Sequence, residues 1–377
     1  MSKIWDLIKN EKVEWKTVDE VCDIKRGTKI TKKIIEENKG EYPVYSSQTT
    51  NNGEIGKLNY YMFDGEYVTW TTDGCYAGTF YYRNEKFSAT THCGVLSVKC
   101  GQKLLTKFLY YYLTYDSLNL KNSIVGTIPL FTSEMVSWIK IPIPSIDTQN
   151  KIVKILDKFN IYVKELEREL ELRNKQYQHY RDYILNKYLF KLCKKNGTNI
   201  EKRKLCELLE YEQPGKYIVK KSKYSNKFNT PVLTPGKTFI LGYTNEIEGI
   251  YKANKNNPVI LFDDFTAAFK WVDFEFKIKS SATKIISPKI NINLKYCFYN
   301  MQMLNFVNEE HKRIWISEYS QIKINIPNIT IQNKVVEILD NFFNSTNKID
   351  EGLPKEIKLR KQQYEYYRNK LLDFSKN

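Results

Sequence analysis

Asp264, Glu275 and Lys277 have the residue types of a metal-dependent nuclease, two carboxylates for a divalent cation and a lysine beside the scissile phosphate. The pattern is loose, because an acid followed two residues later by Lys recurs by chance in a chain with 59 Lys and Arg. Pro235-Gly-Lys-Thr238 mimics the end of a phosphate-binding loop, but Pro231 occupies the place of the required first glycine. Asp73-Gly-Cys-Tyr-Ala-Gly78 is too short of glycines, and wrongly placed, for a nucleotide loop. No Pro-Pro dipeptide occurs, which excludes the Asn-Pro-Pro-Tyr type of motif used by amino-methyltransferases. His92, His179 and His311 have no Ser or Cys constellation around them. Cys75, His92, Cys93 and Cys100 fit no finger or ribbon spacing. These residue types describe a binder, with no catalytic residue and no metal ligand assigned.

The bulk properties point to what is bound. The chain has 377 residues, a net charge of +16 and a pI near 9.2, and 42% of its residues are hydrophobic. That is a globular composition whose positive charge suits a polyanion, most commonly nucleic acid. A Lys-rich composition inherited from an AT-rich genome is the alternative source of the charge. Seven cysteines without a C-x-x-C pair read as reduced thiols. With no secretory signal and no apolar run of roughly 18 residues, the expectation is a cytoplasmic protein without a membrane partner.

The elements that must position a bound polyanion come in two copies. Ile139–Phe159 (IKIPIPSIDTQNKIVKILDKF) recurs as Ile322–Phe342 (IKINIPNITIQNKVVEILDNF), with 14 of 21 positions identical at an offset of 183. Each Pro makes the entry extended, and Asp147 or Thr148 is expected to cap a helix starting near Gln149. Apolar or aromatic residues, with Arg173 filling one place, then follow three-four steps through Leu156, Phe159, Val163, Leu166, Leu170, Arg173, Tyr177, Tyr180 and Ile184. A second stripe runs Leu353, Ile357, Arg360, Tyr364, Tyr367, Leu371 and Phe374. Such narrow stripes suit an antiparallel helix pair, against the alternative that each helix packs on its own domain. Before each signature the texture is of short strands broken by Gly and Asn, with one Leu/Tyr-rich helix at Leu104–Leu120 and its partner near Tyr296–Val307. Residues 1–12 suggest one short amphipathic turn or helix with Ile4, Leu7 and Ile8 on one side.

The doubled I-P-I-P…Q-x-K-I-V-x-I-L-D stretch resembles the conserved regions of type I restriction–modification specificity subunits. So do Leu172–Arg181 and Leu359–Arg368 (L-R-x-x-Q-Y-x-x-Y-R), and Gly352-Leu-Pro354. The resemblance implies an α+β fold of two mixed α/β target recognition domains, joined by two long conserved helices that form an antiparallel coiled coil with an internal pseudo-twofold repeat. The expected divisions are a recognition domain at 1–145, a central helix at 146–192, a second recognition domain at 193–328 and a C-terminal helix at 329–377. It implies a non-catalytic subunit whose partners are double-stranded DNA, two methyltransferase subunits and restriction or motor subunits. Its own cofactors would be none, with S-adenosylmethionine, ATP and Mg bound by those partners. About 22 residues of paired helix span about 33 Å, close to one turn of B-DNA.

Loops that differ between the halves at corresponding landmarks are the expected base readers. In the first half these are Tyr45, Ser46, Ser47, Gln48, Thr49, Thr50, Asn51, Thr71, Thr72, Asp73, Thr90 and His92. In the second they are Thr234, Lys237, Thr238, Phe239, Tyr243, Asp263, Asp264, Thr266, Ser280 and Ser281. Gln48 and Asn51 suit adenine, and Asp263 or Asp264 could accept from cytosine. Turn capping is the competing role for the Ser and Thr, and an internal hydrogen bond for the two Asp. Arg26, Lys29, Lys216, Lys220 and Lys284 are the expected phosphate contacts. Gln149, Arg173, Tyr177, Arg181, Gln332, Arg360, Tyr364 and Arg368, shared by the repeated helices, are the expected partner-binding set. A site-specific nuclease and a protein–protein scaffold remain the alternative functions.

Overall fold

The computed structural model describes Ile8, residues 11–121, 129–220, 224–236 and 238–304, Phe306, Asn308, Glu310, and residues 312–350 and 352–374; the side chains of 118–121 and 344–350 are left out. The expected turn or helix at residues 1–12 therefore falls, apart from Ile8, outside the described residues.

The first repeat opens with β1 (Glu14–Thr17), whose antiparallel partner is β8 (Lys140–Ile143), in register Glu14↔Ile143 through Thr17↔Lys140. Between them lie β2 (Cys22–Arg26), β3 (Lys39–Tyr45), β4 (Glu54–Leu58), β5 (Phe63–Thr71), β6 (Phe80–Ala89) and β7 (Cys93–Val98), in one six-stranded sheet of order β2-β7-β5-β6-β3-β4. Helix α1 (Thr106–Lys121) follows, and its buried face, Phe108, Leu109, Tyr112 and Leu113, joins Val68, Trp70 and Leu96 of the sheet in one core. After β8 comes α2 (Ile146–Tyr183), which continues through a π-helical turn, Ile184–Tyr188, into α3 (Leu189–Lys195).

The second repeat follows the same path. Strand β9 (Glu201–Lys204) is followed by β10 (Leu209–Glu212), β11 (Thr230–Leu233), β12 (Ile240–Thr244), β13 (Val259–Asp263), β14 (Phe269–Val272), β15 (Lys277–Ile278) and β16 (Thr283–Pro288). Helix α4 (Leu294–Met303) then precedes β17 (Lys323–Ile326), which pairs β9 in register Glu201↔Ile326 through Lys204↔Lys323. Helices α5 (Ile329–Asp350) and α6 (Gly352–Leu372) complete the described chain. Here the sheet is divided into β10-β16-β13-β14 and β12-β11-β15. In the first repeat β6 is a continuous 10-residue strand that serves β5 antiparallel and β3 parallel. In the second those two roles fall to separate pieces, β14 beside β13 and β15 beside β11.

The helix entries begin earlier than the sequence suggests. Ser145 Oγ accepts from Thr148 N at 3.3 Å, and Asn328 Oδ1 accepts from Ile331 N at 3.0 Å. The caps are thus Ser145 and Asn328, not Asp147 or Thr148. Each directly follows a signature proline, Pro144 or Pro327, and its side chain is able to accept from the first helical turn. Asn328 does the work of Ser145 despite the changed residue type.

Two compact units result, Met1–Arg168 with Pro354–Asn377, and Glu169–Leu353. Both long helical segments are therefore divided between units. In the first unit Phe159 stacks on Tyr367 at 5.2 Å and Lys361 Nζ meets Glu167 at 2.6 Å, so the pairing of α2 with α6 runs antiparallel. Leu371, Leu372 and Phe374 sink into the core built by α1 and the six-stranded sheet. In the second unit Tyr177 stacks on Phe342 at 6.1 Å, while Ile184, Leu185, Leu189 and Leu192 enter the core with Tyr296, Val335 and Leu339. The alternative of each helix packing only on its own repeat is corrected: the last turns of α6 enter the core of the first repeat. Among the described residues, no helix is long and apolar enough to cross a membrane.

Candidate nucleic-acid interface

In the first unit, backbone bonds gather four loops. Thr28 N donates to Ala89 O at 2.9 Å and Gly27 N to Cys93 O at 3.3 Å, bringing the end of β2 to the β6–β7 turn. Thr90 N donates to Tyr45 O at 2.9 Å, and Thr72 N to His92 O at 3.2 Å, adding the ends of β3 and β5. Arg26, Lys29, Thr50, Asn51 and His92 are exposed here, with Ser46, Ser47, Gln48, Thr49 and Asp73 half-buried. The pair His92 Nδ1 and Asp73 Oδ2, 2.7 Å apart, ties two of the loops together at the surface.

Four residues expected in this interface lie beneath it. Tyr45, Thr71, Thr72 and Thr90 are buried at 4%, 1%, 4% and 4% exposure. The Tyr45 hydroxyl donates to Glu85 at 2.6 Å, and its phenol is pushed up first by burial and then by that carboxylate. Thr71 Oγ1 donates to Tyr76 O at 2.6 Å and Thr90 Oγ1 to Ser46 Oγ at 2.9 Å, so the turn-organising role holds for both hydroxyls. Gln48 Nε2 donates to Glu54 O across the neck of its loop.

The second unit gathers fewer loops. Lys279 N donates to Leu233 O at 3.1 Å and Asp264 N to Ala282 O at 2.9 Å, joining the segments at 234–239, 263–266 and 279–283. Thr238, Thr266, Ser280 and Ser281 are exposed at this end, while Thr234, Phe239 and Tyr243 are half-buried. Lys237 lies outside the described residues. Lys216 and Lys220 are exposed, and Val219 N donates to Ile278 O at 2.9 Å, leading Lys220 toward Lys279.

Two expectations fail here for one reason. Lys284 and Asp264 are 1% and 2% exposed and face each other at 3.2 Å. Asp264 Oδ1 also accepts from Ile314 N at 3.1 Å and Trp315 N at 2.7 Å. Neither side chain has surface to offer a phosphate or a base; together they form a strut under the loops. Asp263 Oδ1 accepts from Phe265 N and Thr266 N, each at 2.9 Å, and so shapes its own turn. The supposed nuclease triad is dispersed: Glu275 pairs with Lys252 at 2.7 Å, and buried Lys277 pairs with Glu246 at 3.1 Å. Among the described residues, no group of three or more His, Cys, Asp or Glu is gathered as metal ligands.

The signature residues prove to be joints between helix and domain. Gln149 Oε1 accepts from Leu105 N at 2.9 Å while its Nε2 donates to Lys103 O at 2.8 Å and Pro144 O at 2.9 Å. Gln332 repeats this with Asn293 N at 2.9 Å and Pro327 O at 2.9 Å. Both are buried, at 0% and 1% exposure, which removes them from the partner-binding set. A second joint was missed from the sequence: Asp157 accepts from Lys107 Nζ at 2.7 Å and the Tyr111 hydroxyl at 2.6 Å. Asp340 does the same for Lys295, at 2.8 Å, and Tyr299. Its signal was the Asp shared by both signatures.

The remaining helix residues also repeat. Arg173 pairs with Glu169 at 2.7 Å and Arg360 with Glu356 at 2.9 Å, both partly exposed. Arg181 and Arg368 are largely buried, bonding to Asp182 at 2.8 Å and Asn369 at 3.0 Å. Tyr177 and Tyr364 pack against the cores of their units.

Comparison with known proteins agrees with this doubled architecture. The model of the type I restriction modification DNA specificity domain matches twice, over residues 10–173 and 198–359. A putative type I specificity subunit of Mycoplasma pneumoniae is 33% identical over 96% of this chain and 97% of its own length. The EcoR124I/EcoR124II specificity subunit of Escherichia coli is 49% identical over 50% of this chain and 47% of its own. The crystal structure of the S subunit of a type I restriction-modification system from M. genitalium shares the fold, with a TM-score of 0.62 at 15% identity over 96% of both chains. With both domain copies matched and a relative aligned over nearly its full length, the chain belongs to the type I restriction–modification specificity subunits, the non-catalytic components that give such systems their DNA sequence specificity.

Proposed function

We propose that each unit reads one part of a split duplex target through the gathered loops, and that the repeated helices hold two methyltransferase subunits. What carries the reading is the contrast between the halves: the joints Gln149/Gln332 and Asp157/Asp340 repeat residue for residue, while the surface loops do not. Repetition in the frame suits two copies of one partner, and divergence in the loops suits two different half-sites. In the first unit Arg26 and Lys29 would meet phosphates, and Asn51, Thr50 and His92 would face base edges. In the second, Lys216 and Lys220 would meet phosphates and Thr238, Thr266, Ser280 and Ser281 the bases. Arg173 and Arg360, with their partly exposed guanidinium groups, are the helix residues suited to a partner. S-adenosylmethionine, ATP and Mg would be bound by the methyltransferase and restriction subunits, acting on cytoplasmic DNA.

The test is modular exchange. Replacing residues 199–320 with another recognition domain should change one half of the methylated target and leave the other intact. Change in both halves, or methylation without regard to sequence by the wild-type assembly, would sink the reading. A scaffold without DNA contacts is distinguished by binding that is insensitive to salt, since phosphate contacts release counterions.

A further inference from the structure

In the loop between β3 and β4, Asn51, Asn52 and Gly53 hold successive positive φ of 48°, 54° and 85°. Asn is among the few non-glycine residues that tolerate this region, so the reversal forms readily and its orientation depends on what anchors it. The neck of the loop is closed by Ser46 N donating to Gly53 O at 3.0 Å and by the Gln48 amide on Glu54 O. Neither bond reaches the tip.

Arg83 of β6 does. It is 2% exposed, and its Nη2 donates to Asn52 O at 2.7 Å while its Nε donates to Thr69 Oγ1 of β5 at 3.2 Å. Its guanidinium lies 3.5 Å from the ring centre of Tyr45 and 4.7 Å from that of Tyr81. A planar fork is needed to face two acceptors and stack on a ring at once; an ammonium group cannot do both. A buried cation thus ties the exposed tip of a surface loop to a central strand of the sheet.

We propose that Arg83 is a positioning residue for specificity: without touching DNA, it fixes the Thr50–Asn52 tip in the geometry that sets base preference in the first half-site. The proposal rests on the reading of this loop as a base reader. In the second unit buried Lys277 of β15 pairs with Glu246 at 3.1 Å and donates to Glu248 O at 2.7 Å, so there a lysine with a carboxylate partner, and no guanidinium fork, holds a different loop.

The full chain assembled with its methyltransferase subunit is given a library of duplexes randomised across the target, and the methylated products are sequenced. Arg83→Lys and the milder Thr69→Val are compared with wild type, with thermal melting as the folding control. The expected result is about a tenfold loss of discrimination at first-half positions, with second-half discrimination unchanged and melting within a few degrees. Folded variants that keep first-half preference, or lose both halves equally, overturn the proposal. Should Arg83→Lys not fold, Thr69→Val decides on the same criteria. Asn51→Ala separates the two claims: if it alters first-half preference and the folded variants do not, only the positioning role falls. If none of them alters it, the loop's reading role falls as well.

Discussion

The Tyr111 hydroxyl donates to Asp157 Oδ1 at 2.6 Å, and 188 residues later Tyr299 donates to Asp340 in the same way. With Lys107 and Lys295 completing each joint, a carboxylate on the signature helix receives two donors from the helix that precedes the signature, α1 or α4. Asp157→Ala or Asp340→Ala should each cost about 2 kcal/mol, because two donors lose a charged acceptor. Chemical denaturation of the full chain measures it; a cost near that of a surface ion pair, below about 0.5 kcal/mol, would show the joint to be ornamental.

The buried glutamines make a sharper case. Gln149 donates to two carbonyls and accepts from one amide, so a carboxylate of the same shape would face two acceptors without a proton. Gln149→Glu should therefore destabilise more than Gln149→Ala, against the usual order of isosteric and truncating changes. The midpoint of urea unfolding for the two variants, side by side, decides it.

Cations at the surface and beneath it should separate in a salt titration. Arg26→Ala and Lys29→Ala should each lower the salt dependence of DNA binding by about one unit of slope. Lys284→Met should leave the slope alone and instead cost about 3–5 kcal/mol, since it strands Asp264 as an unpaired buried charge. A reduced slope in folded Lys284→Met would contradict its placement.

Thiol reactivity should follow burial. Cys75 and Cys100 are exposed, whereas Cys22, Cys93 and Cys297 are buried and their thiols pushed up to about 12 by desolvation. An alkylating reagent at pH 8 should label the first two within minutes and spare the other three until the chain unfolds. Peptide mass spectrometry of a time course reads this directly.

Stability should fail on the alkaline side through tyrosine. Burial holds Tyr110 and Tyr177 neutral, with values of about 12, and raises Tyr111 and Tyr299 through burial and then the adjoining carboxylate. The folded chain thus binds these protons more tightly than the unfolded one, so their contribution is complete below about pH 10 and is lost as pH rises through the folded values. Melting temperature should fall from about pH 10 upward, in step with tyrosinate absorbance; flat stability to pH 12 would refute it.

The frame of this protein was legible in the sequence because its residues have internal jobs that spacing reveals. The stripes through Phe159 and Tyr367, the prolines of the entries and the helix before each signature all appear where periodicity placed them. The interface was legible only in outline. Loops at 45–51, 71–73 and 90–92 do converge, yet Thr71, Tyr45 and Lys284 are interior, because a hydroxyl, phenol or ammonium looks the same in sequence whether it faces solvent or a buried partner. Gln149 was misassigned for the related reason that repetition marks a shared constraint without saying whether it is internal or external. Arg83 gave no signal, since its partner is a backbone carbonyl 31 residues away.

The last turns of α6 have a consequence for shortened chains. Leu371 and Leu372 fill the first unit's core, and Ile184 and Leu185, 187 residues earlier, fill the second's. A chain ending after Lys195 would carry an open socket in its only recognition domain and a helical plug with nothing to enter. Two such copies could each lend the plug the other lacks, by reciprocal strand-free swapping of helix ends. The resulting homodimer would present one recognition surface twice about a true twofold axis, and its target would become a palindrome.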